Sequence, residues 1–320
     1  MALVSDPNNI RIAMLGMVDG NGHPYSWSAI INGEFDAQEM ARCAYPVIPQ
    51  YLSAQPKSAL GIAGAKVTHI WCDNPADAQH VAKSAMIPNI VSSPADVIGK
   101  VDAVIIPTDK GEEHVDRARP FIEAGLPLFI DKPMTDRIDH LRQFVQWEAE
   151  GKRFLSSSCM RYAKEFAEVR SRVAEVGDLR IINMSMCKSW ERYGIHAMEG
   201  VYPFLTPGGW ESVVNTGTYE SNIVHLRHAS GVDVCVTNVA DLYGAFGVLG
   251  ILGTKGALSA RYGDNFFAFK AQLVDFVQYL RTGKRPFDFS QTVELMKIII
   301  AGIQSREQGG RRIMLADLKV

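Results

Sequence analysis

The chain has 320 residues, 47% of them apolar and 21% charged, with a formal net charge of −2. That length accommodates two domains with separate cores, and the near-neutral balance gives no electrostatic reason to expect a nucleic acid or an anionic membrane as partner. No apolar run approaches the ~20 residues that span a bilayer, Met1 to Asn9 lack the basic start of a signal peptide, and Cys43, Cys72, Cys159, Cys187 and Cys235 are scattered like reduced thiols, so the expectation is a soluble cytoplasmic protein.

Taken in chain order, Ile10 to Leu15 reads as a short apolar strand broken by Gly16, and Val67 to Cys72 as a second strand ending in Asp73. Between them lie about 50 residues, where a plain strand–helix–strand unit needs about 30. The excess is rich in Pro, Gly and aromatics and reads as an elaborated loop plus helix near a ligand crevice. Pro75 to Ser84 is helical, Pro94 to Gly99 a short helix, and Val101 to Thr108 a third strand. Glu112 to Ala124 is a helix closed by Gly125. The apolar run Leu126 to Ile130 then leads into Asp131-Lys132-Pro133, followed by a helix and the run Phe154 to Ser158. Strands separated by helices at this spacing predict an α/β fold with a parallel, doubly wound (Rossmann) sheet over residues 1–158.

After Tyr162 the texture changes. Lys164 to Val176 reads as a helix ended by Gly177. Leu179 to Ser185, Val213 to Thr218, Asn222 to Arg227, Val232 to Asn238 and Gly247 to Leu252 read as strands, several joined by turn signals. Helices over 268–282 and 291–308 close the chain. Residues 159–320 are therefore expected to form an α+β domain with a large, mostly antiparallel open sheet, whose uncovered face is a surface for a homodimer or homotetramer.

A lysine placed just past a buried strand points its ammonium into the crevice where open α/β sheets bind ligands. The segment Gly16-Met17-Val18-Asp19-Gly20-Asn21-Gly22 stands where a pyrophosphate-binding turn belongs, and reads either as a reshaped phosphate loop or as a flexible surface turn. Asp73 is placed to accept hydrogen bonds from adenosine ribose hydroxyls and to repel a 2′-phosphate, or else simply caps the next helix. No HExxH, CxxC or carboxylate cluster suggests a metal.

With its strand-Asp-Lys-Pro element, the chain resembles the Gfo/Idh/MocA family of nicotinamide-dependent sugar and cyclitol oxidoreductases, whose signature is Glu-Lys-Pro. The resemblance covers nearly the whole chain, including Gln272 to Pro286 and Ala301 to Ser305. The family fingerprint Gly-x-Gly-x-x-Gly is altered here, with Val18 and Asn21 at its second and third glycine positions. The resemblance implies a cofactor site at Gly16, Met17, Gly20, Gly22, Asp73, Pro107, Thr108 and Lys132, with NAD(H) favoured over NADP(H). A helix-borne histidine of the family falls near His114, which reads equally as a plain helix N-terminal residue.

The same resemblance implies catalysis by Lys132, contacting the nicotinamide ribose and the reacting hydroxyl, and by His196. His196 lies in a family Asp-x-Gly-x-His stretch that reads Arg192-Tyr193-Gly194-Ile195-His196 here, with Glu199 one helical turn on to take over work of the missing aspartate. Arg161 and Tyr162 match a family Arg-aromatic pair, and with Trp190, Arg192, Tyr193 and His23 they are candidates to line a sugar site. The implied activity is hydride transfer between nicotinamide and a secondary alcohol or ketone of a sugar, glycoside or cyclitol. Two alternatives stand beside it: a redox-neutral enzyme that retains NAD, and a catalytically silent nucleotide-binding regulator.

Overall fold

The computed structural model describes residues 1–320. The chain opens with β1 (Ile10–Leu15), α1 (His23–Asn32), α2 (Ala37–Met40), α3 (Val47–Ser53) and β2 (Ala65–Trp71). There follow α4 (Pro75–Ser84), β3 (Asn89–Ile90), β4 (Ala103–Ile106), α5 (His114–Glu123), β5 (Leu128–Ile130), α6 (Ile138–Ala149) and β6 (Phe154–Leu155). The six strands run in the order β3-β2-β1-β4-β5-β6 and every pairing is parallel. This is the doubly wound α/β arrangement, with its switch point between β1 and β4.

Local chemistry explains the elements that matter for the site. Strand β1 alternates across the sheet: Ile10, Ile12 and Met14 join the core on one face, Ala13 and Leu15 the core on the other. Helix α1 starts with Pro24 in its first turn and ends where Gly33, at φ 80°, turns its N–H back to the Ala29 carbonyl. Asp36 caps α2 by accepting from Gln38 and Glu39 N–H groups. The additional length between β1 and β2 is therefore helical, as α2 and α3.

The second half comprises α7 (Lys164–Ser171), β7 (Leu179–Cys187), α8 (Ile195–Val201), β8 (Trp210–Asn215), β9 (Ser221–His228), β10 (Asp233–Val239), β11 (Val248–Gly253) and β12 (Ala257–Arg261). It closes with α9 (Asn265–Thr282), α10 (Phe289–Glu307) and β13 (Ile313–Met314). Its seven strands lie in the order β12-β11-β7-β10-β9-β8-β13, antiparallel except for the β7–β10 pair. Leu226, Val234, Ile182 and Ile251 occupy one register row and point into the core. A row three positions along, Ile223, Thr237, Ser185 and Val248, faces outward.

The expected second-domain strands are present with ends moved by a few residues, the largest shift being β8, which starts at Trp210. Helix α7 stops at Ser171 and a separate turn continues to Val176. Strands β12 and β13 and helix α8 carry no clear periodic signal and are additions from the structure. The cores also differ from the expectation of one per domain. Phe276, Val277 and Leu280 of α9 join β1, β2 and α1 in one buried cluster, while the other face of the first sheet is continuous with the core under the second.

Candidate functional site

The ends of β1, β2, β4 and β5 converge on one crevice. Gly16 ends β1 at φ +113°, a conformation that L side chains rarely adopt, and an added Cβ would lie 2.9 Å from the Thr108 methyl. The Met17 N–H donates to Asp73 Oδ2 at 3.2 Å. Asp73 Oδ1 accepts from Arg117 Nη2 at 2.8 Å, and Arg117 also bonds Glu113. The acid at the end of β2 thus meets a guanidinium that the sequence reading did not include.

The rest of the loop is built differently from a glycine-rich phosphate turn. Asn21 is buried and donates to the Pro107 carbonyl at 2.8 Å and to Asp131 at 3.3 Å, while its own carbonyl accepts the His23 N–H. Gly22 is required by packing: a Cβ there would lie 2.6 Å from Tyr45 and Ile48 of the inserted segment. From the second half, Lys188 Nζ donates to the Gly20 carbonyl at 3.1 Å and Arg192 Nη2 to the Asp19 carbonyl at 3.1 Å.

Lys132 is 2% exposed. Its Nζ lies 3.6 Å from Asp109 Oδ2 and 4.4 Å from the centre of the Tyr193 ring, and neither Nζ nor Oδ2 has a hydrogen-bond partner. Asp109 Oδ1 is 2.5 Å from Arg192 Nη2. Burial alone would raise the Asp109 carboxyl, but Lys132 and Arg192 outweigh it and bring it to about 2. Asp109 is a central residue that sequence reasoning missed; its signal was a carboxylate three positions past the buried strand Ala103 to Ile106. His114 is fully buried, its ring nitrogens meeting the Thr108 carbonyl and those of Pro133 and Met134, so it holds two crevice loops together.

His196, near the start of α8, is buried with Nδ1 2.6 Å from Ser158 Oγ. Burial, then the positive charge of Lys132, holds its pKa well below the usual histidine range, so the ring is neutral. Glu199 does not take over the role of the missing aspartate. Its Oε1 accepts the Ser158 N–H at 3.1 Å and its Oε2 pairs with Arg161, so it reaches His196 only through Ser158.

A cavity of about 250 Å³ opens against these groups. His23, Lys188, Tyr193 and His196 line it together with Tyr45 and Tyr51 from the insertion, and Phe246, Tyr262 and Phe269 close it from the second half. His23 Nδ1 lies 2.8 Å from Asp131 and its ring stacks on Trp27 at 4.3 Å. Lys132 stands behind Tyr193, outside the lining.

Four expected sugar-site residues lie elsewhere. Arg161 is held by Glu199 and Gln291 and stacks 4.2 Å over Phe287. Tyr162 is not part of the lining, and burial pushes its hydroxyl up beyond the ordinary tyrosine range. Trp190 is fully buried, donates to the Ile299 carbonyl, and fills space left by Gly194 and Gly302. Arg192 bridges Asp109 and the Asp19 carbonyl and is not among the lining residues. A larger depression of about 890 Å³, bounded by Tyr202, Trp210 and Glu294, lies away from the strand ends.

The crevice residues fit a nicotinamide dinucleotide. Gly16 makes the positive-φ turn at the end of β1, Asp73 stands at the end of β2 to meet a ribose, and the orphaned Lys132 ammonium waits at the end of β5. No curated protein matches the sequence. Among solved structures, the chain is similar to the myo-inositol 2-dehydrogenase of Lactobacillus plantarum, at 15% identity over 96% of this chain and 99% of that one, TM-score 0.75. It is also similar to a myo-inositol dehydrogenase of Corynebacterium glutamicum (21% identity, 96% and 99% covered, TM-score 0.69). A third is the scyllo-inositol dehydrogenase of Lactobacillus casei with bound NAD(H) and scyllo-inositol (16%, 97% and 100%, TM-score 0.72). At these identities the likeness is one of fold. Residues 41–158 match the model of an oxidoreductase family with an NAD-binding Rossmann fold, GFO_IDH_MocA. That match lies within the first, parallel-sheet half of the chain and makes it similar there to the NAD-binding domain of the family.

Proposed function

We propose that the protein is an NAD(H)-dependent oxidoreductase acting on a secondary alcohol or ketone of a sugar, glycoside or cyclitol. The observation that carries this is the meeting of a neutral, oriented imidazole (His196) and a buried ammonium (Lys132) around Tyr193, at the mouth of the dinucleotide crevice. When bound, the nicotinamide supplies or accepts the hydride. Gly16, Met17, Asp73 and Thr108 would hold the dinucleotide. In the tautomer whose Nδ1–H donates to Ser158 Oγ, His196 Nε2 is free to take the carbinol proton and to return it in the reverse direction. The Lys132 ammonium stabilises negative charge on the reacting oxygen, and Asp109 holds that ammonium in place.

Asp73 disfavours a 2′-phosphate, so NAD(H) is the preferred form, with Arg117 narrowing the margin. With all five cysteines unpaired and no helix long and apolar enough to cross a membrane, we place the protein in the cytoplasm. The outward row containing Ile223 and Val248 supports self-association through the second sheet, as a homodimer or homotetramer.

The test is a fluorescence titration with NADH and NADPH, followed by a polyol screen with the parent protein and Lys132→Met. Expected are tighter NADH binding, turnover by the parent, and turnover lost in Lys132→Met with NADH still bound. Absence of binding by either nucleotide refutes the reading.

A further inference from the structure

The cavity wall has a lopsided charge pattern. Lys188 is its only lysine or arginine, and it contains no aspartate or glutamate. The nearby carboxylates of Asp109 and Asp131 are fully buried and turned to Arg192, Lys132, Asn21 and His23. A neutral polyol presents many hydroxyl donors, and ionised carboxylates are the strongest acceptors for them. This wall offers none.

Lys188 is also built into place. It follows β7 at φ +61°, a left-handed conformation that a long side chain rarely adopts and that persists only where the surroundings impose it. They do: buried Asn238 donates to the Cys187 carbonyl at 2.9 Å and to the Lys188 carbonyl at 2.6 Å, and the Lys188 N–H donates to Ala240. The ammonium then donates to Tyr193 Oη at 2.7 Å and to the Gly20 carbonyl at 3.1 Å. An ammonium has three donors, which leaves one for the cavity.

We infer that Lys188 binds a carboxylate of the substrate, so the substrate class is a polyhydroxy acid, a uronate or aldonate, rather than a neutral sugar or cyclitol. The inference rests on the reading of this cavity as the substrate site. Burial and the charge of Lys132 bring the Lys188 ammonium down to about 8, and a bound anion would return it upward. A dinucleotide phosphate is the other anion within the chemistry of this cation, and the test separates the two.

Calorimetric titrations of the NADH-loaded protein would compare D-glucuronate, D-galacturonate and D-gluconate with D-glucose, D-galactose and myo-inositol. The variant is Lys188→Gly, which suits the backbone at this position, with Lys188→Arg as the charge-retaining control. At least one acid is expected to bind about tenfold or more tighter than its neutral counterpart, the preference vanishing in Lys188→Gly and returning in part in Lys188→Arg. Neutral sugars bound equally or better, or no acid bound, overturn the inference while NADH binding leaves the oxidoreductase reading standing. A Lys188→Gly protein that loses NADH affinity but keeps the acid preference assigns the cation to the cofactor phosphates and also overturns it. Absence of NADH binding in the parent brings down both readings together.

Discussion

Replacing Asp109 with asparagine isolates the charge arrangement at the centre of the crevice. The carboxylate serves two cations, Lys132 at 3.6 Å and Arg192 at 2.5 Å. Their consequences differ, because the Arg192 side chain is 28% exposed and can turn to water, whereas that of Lys132 is 2% exposed and cannot. Leaving a buried charge without its partner costs roughly 3–5 kcal/mol, and the freedom of Arg192 places Asp109→Asn near the lower end, about 3 kcal/mol. The depression of the carboxyl by the same two cations, to about 2 against an ordinary 3.8, corresponds to about 2 kcal/mol at neutral pH. Because the folded value is depressed, that stability is present above the unfolded value and is lost as pH falls from about 4 through about 2. Urea unfolding at pH 7 should show the full deficit of Asp109→Asn, and the deficit should shrink at pH 3. Removing the stranded charge as well, in Asp109→Asn with Lys132→Met, should recover part of the loss. A deficit under about 1 kcal/mol at pH 7, or a double variant as unstable as the two single losses added, refutes the reasoning.

Other changes probe the surroundings. Ser158→Ala removes the partner of His196 Nδ1 and should lower kcat by about tenfold or more with little change in NADH affinity; an unchanged kcat shows that Ser158 does not orient the ring. The imidazole of His196, depressed by burial and by Lys132, should titrate in NMR with a midpoint well below the ordinary 6.5, and a midpoint near that value counts against a buried neutral ring. Gly22→Ala drives a methyl against Tyr45 and Ile48 and should cost about 1–3 kcal/mol in denaturant unfolding, a neutral result meaning that α3 moves aside freely. Glu199→Gln strands Arg161 between Gln291 and aromatic rings and should lower stability by about 3 kcal/mol while leaving the pH profile of turnover in place.

The parts of this fold that could be read from sequence are those with a strong period. Ala103 to Ile106 and Leu126 to Ile130 are continuous apolar runs because both faces of a parallel sheet are covered, and that pattern alone places Lys132 at a strand end. Pro75 to Ser84 carried its own start signal in Asn74-Pro75. The site itself was less legible. Trp190 and Tyr193 are aromatic residues three positions apart in one helical turn, yet one fills a void beneath two glycines and the other lines the cavity; nothing local distinguishes them. Arg161 looks like a ligand residue until Glu199 is brought beside it from 38 positions away. Lys188 follows β7 with no motif around it, and only the backbone imposed by Asn238 turns its ammonium toward the loop. Strand β12 escaped notice because, with no buried residue, an edge strand has little to alternate against.

Helix α9 has a consequence for how the chain is made. It is encoded in residues 265–282, yet Phe276, Val277 and Leu280 are interior to the cluster built on β1, β2 and α1, and the Leu3 N–H pairs with the Leu280 carbonyl. During synthesis the first sheet therefore emerges long before the helix that seals one of its faces, and it stays incompletely buried until residues 265–282 have been made. A fragment ending near Ser158 should expose that face and aggregate rather than behave as an autonomous unit, and supplying α9 through circular permutation should restore its solubility.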